Sequence, residues 1–123
     1  MKRKLLLLCF TLLSVLVKAQ NNSIENRIID TILKLKEVKE RAEYVEKVTN
    51  GKRHLGICIY KNPSKDQPYY WVKAWEDNGS NYVTHFNFYV YRRPFQIKFL
   101  DTVEDTVISL KEWRRRMKNK ISH

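Results

Sequence analysis

The spacing of apolar residues changes near Asn50–Gly51 of this 123-residue chain, and this change constrains the fold more than any other feature. Before that point apolar residues recur every three or four positions, which is the spacing of one helix face. After it they alternate with other residues, as in strands with one buried side. The chain therefore has to combine helix with sheet, and folds built of helices alone or strands alone are excluded.

The first part predicts one helix, kinked or straight, over about residues 23–49. Asn50–Gly51 supplies its C-terminal stop, because both residues tolerate the left-handed backbone conformation. The opposite side of the helix carries lysine, arginine and glutamate in mixture, which is typical of a solvated surface. The apolar stripe consists of Ile24, Ile28, Ile32, Leu35, Val38, Ala42, Val45 and Val48.

The second part predicts four strands and a short fifth one. Turn-forming segments rich in Asn, Pro, Asp and Gly separate them. Ser109 and Glu112 then form a capping box, which predicts a short basic C-terminal helix over residues 110–123. The predicted strands are Leu55–Tyr60, Tyr69–Trp75, Tyr82–Tyr91, Phe95–Phe99 and Thr106–Ile108.

These elements predict an α+β fold in which a long N-terminal helix packs on a four- to five-stranded antiparallel sheet, with a short C-terminal helix. Residues 20–123 are too few for two independent cores, so we expect a single domain. The predicted core consists of Ile28, Ile32, Leu35, Val38, Val45, Leu55, Ile57, Ile59, Val72, Phe86, Phe88, Val90, Ile97 and Phe99.

Residues 1–19 are typical of a cleaved secretory signal peptide. A basic start, Met1–Lys4, precedes an apolar run from Leu5 to Val17, and Ala19 follows at a suitable cleavage position. The run would span only about 20 Å as a helix, against roughly 30 Å for the hydrocarbon core of a membrane. We therefore expect a bacterial periplasmic or secreted protein that has no transmembrane segment after cleavage.

The charge of +11 depends strongly on the two ends of the chain. Four of the 24 basic residues lie in the leader, which leaves 20 basic and 13 acidic residues and a net charge of +7. Six basic residues and one acidic residue lie in 111–123, so residues 20–110 carry only +2. Nucleic acid is therefore disfavoured as a partner, and the basic C-terminal helix is predicted to touch an acidic partner or a membrane surface.

The order of elements resembles that of cystatin-like exported domains and, less closely, the nuclear-transport-factor-2-like fold. The resemblance covers about residues 23–108 and is one of topology only. Cystatins that inhibit papain-type proteases carry a Gln-x-Val-x-Gly hairpin after the first long strand. This chain has Asn62-Pro63-Ser64-Lys65-Asp66 at the corresponding connection, so inhibition of that kind is not expected.

Aromatic and polar residues alternate with the core positions of two neighbouring strands. They predict a binding face, because Tyr and Trp offer a large contact area together with a hydrogen-bonding group. Two other interpretations stay open: the rings pack only on one another, or the C-terminal helix covers them. The predicted binding residues are Trp71, Lys73, Trp75, His85, Asn87, Tyr89 and Tyr91.

No nucleophile elbow, phosphate-binding loop or metal-ligand spacing occurs in the sequence, so we predict no catalytic residue, metal or cofactor. The leading hypothesis is a non-enzymatic binding module that engages a protein or glycan of the cell envelope, for example as an inhibitor or immunity-type protein. One alternative is a small-ligand carrier or degenerate enzyme with a pocket between helix and sheet. The other is a structural subunit that self-associates as a homodimer.

Overall fold

A computed structural model describes residues 22–122, so the predicted signal peptide lies outside the described residues. The prediction of an α+β fold with an antiparallel sheet is confirmed. The elements, in chain order, are α1 (22–33), α2 (Lys36–Val48), β1 (Gly56–Lys61), β2 (Tyr70–Asp77), β3 (Tyr82–Arg92), β4 (Phe95–Asp101), β5 (Thr106–Ser109) and α3 (Leu110–Ile121).

The five strands form one sheet in the order β1-β2-β3-β4-β5, with every neighbouring pair antiparallel. Each strand therefore pairs with the strand that follows it, as short turns require. Asp77 helps to close one of these turns, because its carboxylate accepts a hydrogen bond from the Gly79 amide at 2.8 Å. The result is a simple meander with β1 and β5 at its edges.

The prediction of one long N-terminal helix is wrong, because the chain breaks at Leu35. This residue is extended, with φ −62° and ψ 133°, and separates α1 from α2. Ile32 and Val45 are both buried, yet on a straight helix at 100° per residue they would point about 140° apart. The break lets both residues turn toward the interior, which a continuous helix could not do.

The end of α2 follows the prediction. Gly51 has φ +75° and its amide donates to the Glu46 carbonyl at 2.8 Å, so the left-handed residue closes the helix.

At the start of α3, the Ser109 hydroxyl accepts a hydrogen bond from the Glu112 amide at 3.1 Å. The Glu112 carboxylate completes no capping box, because it binds Arg115 and Arg116 instead.

All three helices lie on the same face of the sheet. Residues of α1, α2 and α3 share one buried cluster with alternate residues of β2 and β3. Every predicted core residue is buried or packs against buried residues, and Tyr70, Ala74 and Trp113 belong to the interior as well. The cluster consists of Ile28, Ile32, Val38, Tyr70, Val72, Ala74, Phe86, Phe88, Val90 and Trp113.

Trp113 attaches α3 to the sheet. Its indole stacks on the Phe99 ring with a centroid distance of 4.2 Å and an interplanar angle of 7°. It also meets Phe86 and Phe88 edge to face, at 5.4 and 5.8 Å. These contacts join the last helix to β3 and β4 through aromatic rings that are buried, apart from the partly buried Phe99.

An ion pair joins α3 to α2. The Arg114 guanidinium donates two hydrogen bonds to the Glu37 carboxylate, at 2.5 and 3.3 Å. The Glu37 side chain is only 12% exposed. Hydrogen bonding from Arg114 lowers the pKa of Glu37, and the partial burial of Glu37 opposes this effect.

We expect Trp113→Ala to lower the free energy of unfolding by about 3–5 kcal/mol, because it removes a large buried ring and leaves a cavity. Urea unfolding followed by far-ultraviolet circular dichroism measures the change. Ile121→Ala is the matched control, since Ile121 lies on the same helix and is 83% exposed. Equal stability of the two variants would show that α3 is not anchored through Trp113.

We expect Glu37→Gln to lower the free energy of unfolding by about 1 kcal/mol at pH 7. A carboxyl whose pKa is lowered by folding stabilises the protein above its unfolded pKa, ordinarily 4.5, and loses this contribution as the pH falls through the folded pKa. The difference between variant and wild type should therefore shrink below about pH 4.

Urea unfolding between pH 3 and pH 7 tests this pH dependence. Glu40→Gln is the control, because Glu40 meets Lys36 at 3.6 Å in an ion pair whose two side chains are 62% and 80% exposed. We expect this variant to match wild type throughout. A Glu37→Gln effect of the same size at pH 3 and pH 7 would contradict the role of the ion pair.

Candidate functional site

The sheet face opposite the helices carries aromatic and lysine side chains, and no helix among residues 22–122 packs on it. Along β2, Tyr70, Val72 and Ala74 are buried, whereas the alternate residues are half-buried. We call this outer surface the aromatic face. It consists of Tyr60, Lys61, Tyr69, Trp71, Lys73, Trp75, Asn87, Tyr89, Tyr91 and Lys98.

The interpretation that the C-terminal helix covers these rings is wrong. Trp113 holds α3 on the helix side of the sheet, against Phe99. The rings of the aromatic face do contact one another, as the other interpretation expected, but they remain half-buried at most. The same residues therefore pack on one another and remain accessible to solvent.

Four rings of this face form a connected row. Tyr69 stacks on Tyr89 with a centroid distance of 4.0 Å and an interplanar angle of 20°. Trp71 meets Tyr89 edge to face at 5.6 Å and Tyr60 edge to face at 5.0 Å. The Trp71 indole N–H also donates to the Asn87 side-chain oxygen at 2.9 Å, which fixes the orientation of the ring.

Three lysines place their ammonium groups over rings of the aromatic face. The Lys73 nitrogen lies 3.8 Å from the centre of the Tyr60 ring and 5.3 Å from that of Trp71. Lys61 lies 5.6 Å from the Trp71 ring, and Lys98 lies 5.2 Å from the ring of Tyr91. Cation–π attraction of this kind holds positive charge close to the aromatic surface.

Trp75 stands apart from this row. Its ring meets Tyr82 edge to face at 5.1 Å, and it also covers Gly56, where an added Cβ would lie 3.3 Å from the indole. Its indole N–H is buried and has no hydrogen-bond partner among the described residues. Trp75 therefore packs over the glycine of β1, while the connected row is built around Trp71.

His85 does not belong to the aromatic face, so the prediction that placed it there is wrong. The register between β2 and β3 shifts at Ala74–Trp75, where Ala74 pairs with Phe86 but Trp75 pairs with Thr84. His85 is the extra residue of this bulge, and a bulge interrupts the alternation of side chains.

The His85 ring instead lies on the helix side of the sheet. The Arg41 guanidinium of α2 lies 3.3 Å from its Nδ1, and the Glu76 carboxylate lies 2.8 Å from its Nε2. Because arginine can only donate, Nδ1 accepts and the proton of the neutral ring sits on Nε2, from which it is donated to Glu76. His85 thus connects α2 to β2 and β3.

A groove of about 620 Å³ opens at the end of the sheet next to Tyr91. The β1–β2 connection forms one wall, and the turn after β3 forms another with Arg92 and Arg93. Glu25 of α1 also reaches it, so the groove is only weakly positive. It continues the aromatic face through Tyr91, which belongs to both.

Six of the seven predicted binding residues lie on the aromatic face, and the structure adds Tyr60, Lys61, Tyr69 and Lys98 to them. Alternation along β1 already favoured the outer face for Tyr60. Lys61 could not be placed in this way, because the pairing of β1 shifts between Ile59 and Lys61.

The basic residues of α3 are arranged differently from the lysines of the aromatic face. Arg114 pairs with Glu37, whereas Arg115 and Arg116 pair with Glu112, and Arg116 also lies 3.7 Å from Asp101. Hydrogen bonding from Arg115 and then Arg116 lowers the pKa of Glu112 to about 2. Much of the positive charge of this helix is therefore balanced within the protein.

Among residues 22–122, no helix is both long and apolar enough to cross a membrane, and no three His, Cys, Asp or Glu side chains are grouped to hold a metal ion. Comparisons with known protein families, curated proteins and solved structures find no match for this chain. The functional conclusions therefore rest on its own residues.

We expect Tyr89 to stay protonated at pH 11. Burial, followed by a hydrogen bond with Tyr69, raises the pKa of Tyr89 from its ordinary value of 10 to about 12. Tyrosinate absorbance at 295 nm should therefore be almost the same at pH 11 in wild type and in Tyr89→Phe. Circular dichroism at the same pH checks that both remain folded. A clear loss of absorbance in the folded variant would show that Tyr89 ionises as an exposed tyrosine does.

Proposed function

We propose that this chain is an exported, non-enzymatic binding module that engages a protein through the aromatic face. The observation that carries the proposal is the connected row of Tyr60, Trp71, Tyr69 and Tyr89, which contains two of the predicted binding residues and has no helix of the described chain packed on it. Aromatic residues with a fixed orientation lose little entropy on binding and supply much of the energy of protein interfaces.

Some ring faces of this surface are already occupied, and this favours a protein over a neutral glycan as the partner. A sugar binds an aromatic residue by lying flat on it, and this needs an open ring face. One face of Tyr69 is occupied by Tyr89, and Lys73 lies over the ring of Tyr60. The side chains of a protein can pack against ring edges as well as ring faces, so they suit this surface better.

The small-ligand carrier is less well supported. A carrier needs a cavity between the helices and the sheet, lined by core residues. In this chain Phe86, Phe88, Phe99 and Trp113 fill that space by direct ring contacts. The groove of about 620 Å³ lies at the end of the sheet and is lined mainly by loop and turn residues.

The self-associating subunit is also less well supported. If two copies met through the aromatic face, Lys61, Lys73 and Lys98 of both copies would be brought into one interface. Like charges brought together at an interface cost free energy unless acidic groups separate them. A partner with a different surface avoids this cost.

The proposal also includes the export of this chain and the kind of protein that it binds. We infer from the predicted leader sequence that the partner lies in the periplasm or outside the cell. Inhibition of an envelope enzyme, or neutralisation of a toxin as an immunity-type protein, are functions that a small binding module performs without chemistry of its own.

Affinity capture from the native envelope and medium tests the proposal. We expect the wild-type chain to recover a protein that Trp71→Ala, Tyr89→Ala loses, with an affinity at least roughly 30-fold weaker, as for truncation of an aromatic hot spot. Tyr44→Ala is the matched control, because Tyr44 is 58% exposed and belongs to α2. Recovery of the same proteins by a folded double variant would refute binding through this face.

A further inference from the structure

The aromatic face has a row of four paired residues that crosses four strands, with a lysine at each end. Lys61 of β1 pairs with Trp71 of β2, Trp71 pairs with Tyr89 of β3, and Tyr89 pairs with Lys98 of β4. Neighbouring strands are about 4.8 Å apart, so the two lysine backbones are roughly 14 Å apart. Two aromatic rings occupy the space between these cations.

The cations of this face have no acidic partner within the described chain. Lys61, Lys73 and Lys98 form no salt bridge with any residue of 22–122, whereas Arg114, Arg115 and Arg116 of α3 all do. The carboxylate of Asp77, at the end of β2, binds the Gly79 amide, and the charge of Asp105 contributes to the raised pKa of Tyr89. The positive edges of the rings add to the potential created by the lysines.

We infer that the partner lays an extended acidic segment across the aromatic face, with carboxylates four residues apart over Lys61 and Lys98 and an apolar side chain midway over Trp71 and Tyr89. This inference rests on the proposed function and specifies the chemistry of the partner.

The spacing follows from the geometry of an extended chain. Its residues rise about 3.4 Å each, so residues i and i+4 are roughly 14 Å apart, which matches the distance across four strands. Residue i+2 points to the same side as both of them and lies between them. In a helix the same distance would need about nine residues and would carry the middle side chains around the axis.

Single-stranded nucleic acid is a poorer fit to the same surface. Bases bind such platforms by stacking flat on ring faces. Tyr69 and Tyr89 stack on each other at 4.0 Å, and Trp71 meets both of its neighbours edge to face, so these rings have already paired among themselves. Carboxylate side chains need only the ammonium groups and the ring edges.

Synthetic heptapeptides provide the first test. The acidic probe carries glutamate at its second and sixth positions, leucine at its fourth and serine elsewhere, with blocked ends. Its binding to the mature chain is followed by the NMR shift of the Trp71 indole N–H, which is assigned with Trp71→Phe. We expect the acidic probe to bind more tightly than a peptide with glutamine at the second and sixth positions, and more tightly than one with glutamate at the third and fifth. Equal binding of all three peptides would overturn the inference.

Charge removal provides the second test. Lys61→Met, Lys98→Met keeps the apolar stems and should weaken binding of the acidic probe by roughly fivefold or more, as for the loss of two exposed ion pairs. Lys111→Met, Lys118→Met on α3 is the matched control and should bind as wild type does. A loss of binding only in the α3 variant would place the acidic ligand on that helix and overturn the inference. The inference would also be overturned if decathymidylate bound more tightly than the acidic probe and lost this binding in Lys61→Met, Lys98→Met.

The capture experiment separates this inference from the proposed function. If Lys61→Met, Lys98→Met still recovers the partner at wild-type affinity while Trp71→Ala, Tyr89→Ala loses it, the aromatic face binds a protein but not through an acidic segment. If both variants recover the partner, the proposed function fails together with the inference. Loss of the partner in both variants, with recovery by the α3 variant, is the result that we expect.

Discussion

The stacking of Trp113 on Phe99 decides which face of the sheet the molecule offers to its surroundings. A five-stranded meander has two faces, and a short last helix could pack on either of them. The ring contacts of Trp113 with Phe99, Phe86 and Phe88 place α3 beside α1 and α2. As a result one face holds the whole helical layer, and the other face carries the aromatic residues with no helix of the described chain upon it.

The aromatic face then keeps its order without a covering layer. Its rings hold one another by stacking and edge contacts, Asn87 fixes the Trp71 indole, and lysines lie over the ring faces. Mutual contacts bury part of each ring, and this reduces the cost of leaving apolar area near water. The same contacts fix the side chains before any ligand arrives, which lowers the entropic cost of binding.

Sequence patterns predicted the core residues well, but they predicted the interruptions of helix and strand poorly. Alternation placed Val72, Phe86, Phe88 and Val90 in the core, because burial on one face requires a period of two. The break at Leu35 and the bulge at His85 were not predicted. Neither has a Gly or Pro to signal it, since both arise from how helix and sheet fit together. The C-terminal helix was predicted from the sequence, but the face of the sheet on which it packs depends on tertiary contacts.

The net charge of the sequence is a poor guide to the charged groups that a partner meets on the folded surface. The sequence has a net charge of +11, and its pattern predicted the basic last helix as the surface for an acidic partner. Folding pairs Arg114, Arg115 and Arg116 of that helix with carboxylates of α2, α3 and β4. The lysines of the sheet are spaced through the sequence and form no cluster there, yet strand pairing brings Lys61 and Lys98 into one row with Trp71 and Tyr89 between them. An acidic ligand gains more from cations that have no partner of their own than from cations that must first give up a carboxylate. An acidic ligand is therefore expected to gain more from the lysines of the sheet than from the three paired arginines of the helix.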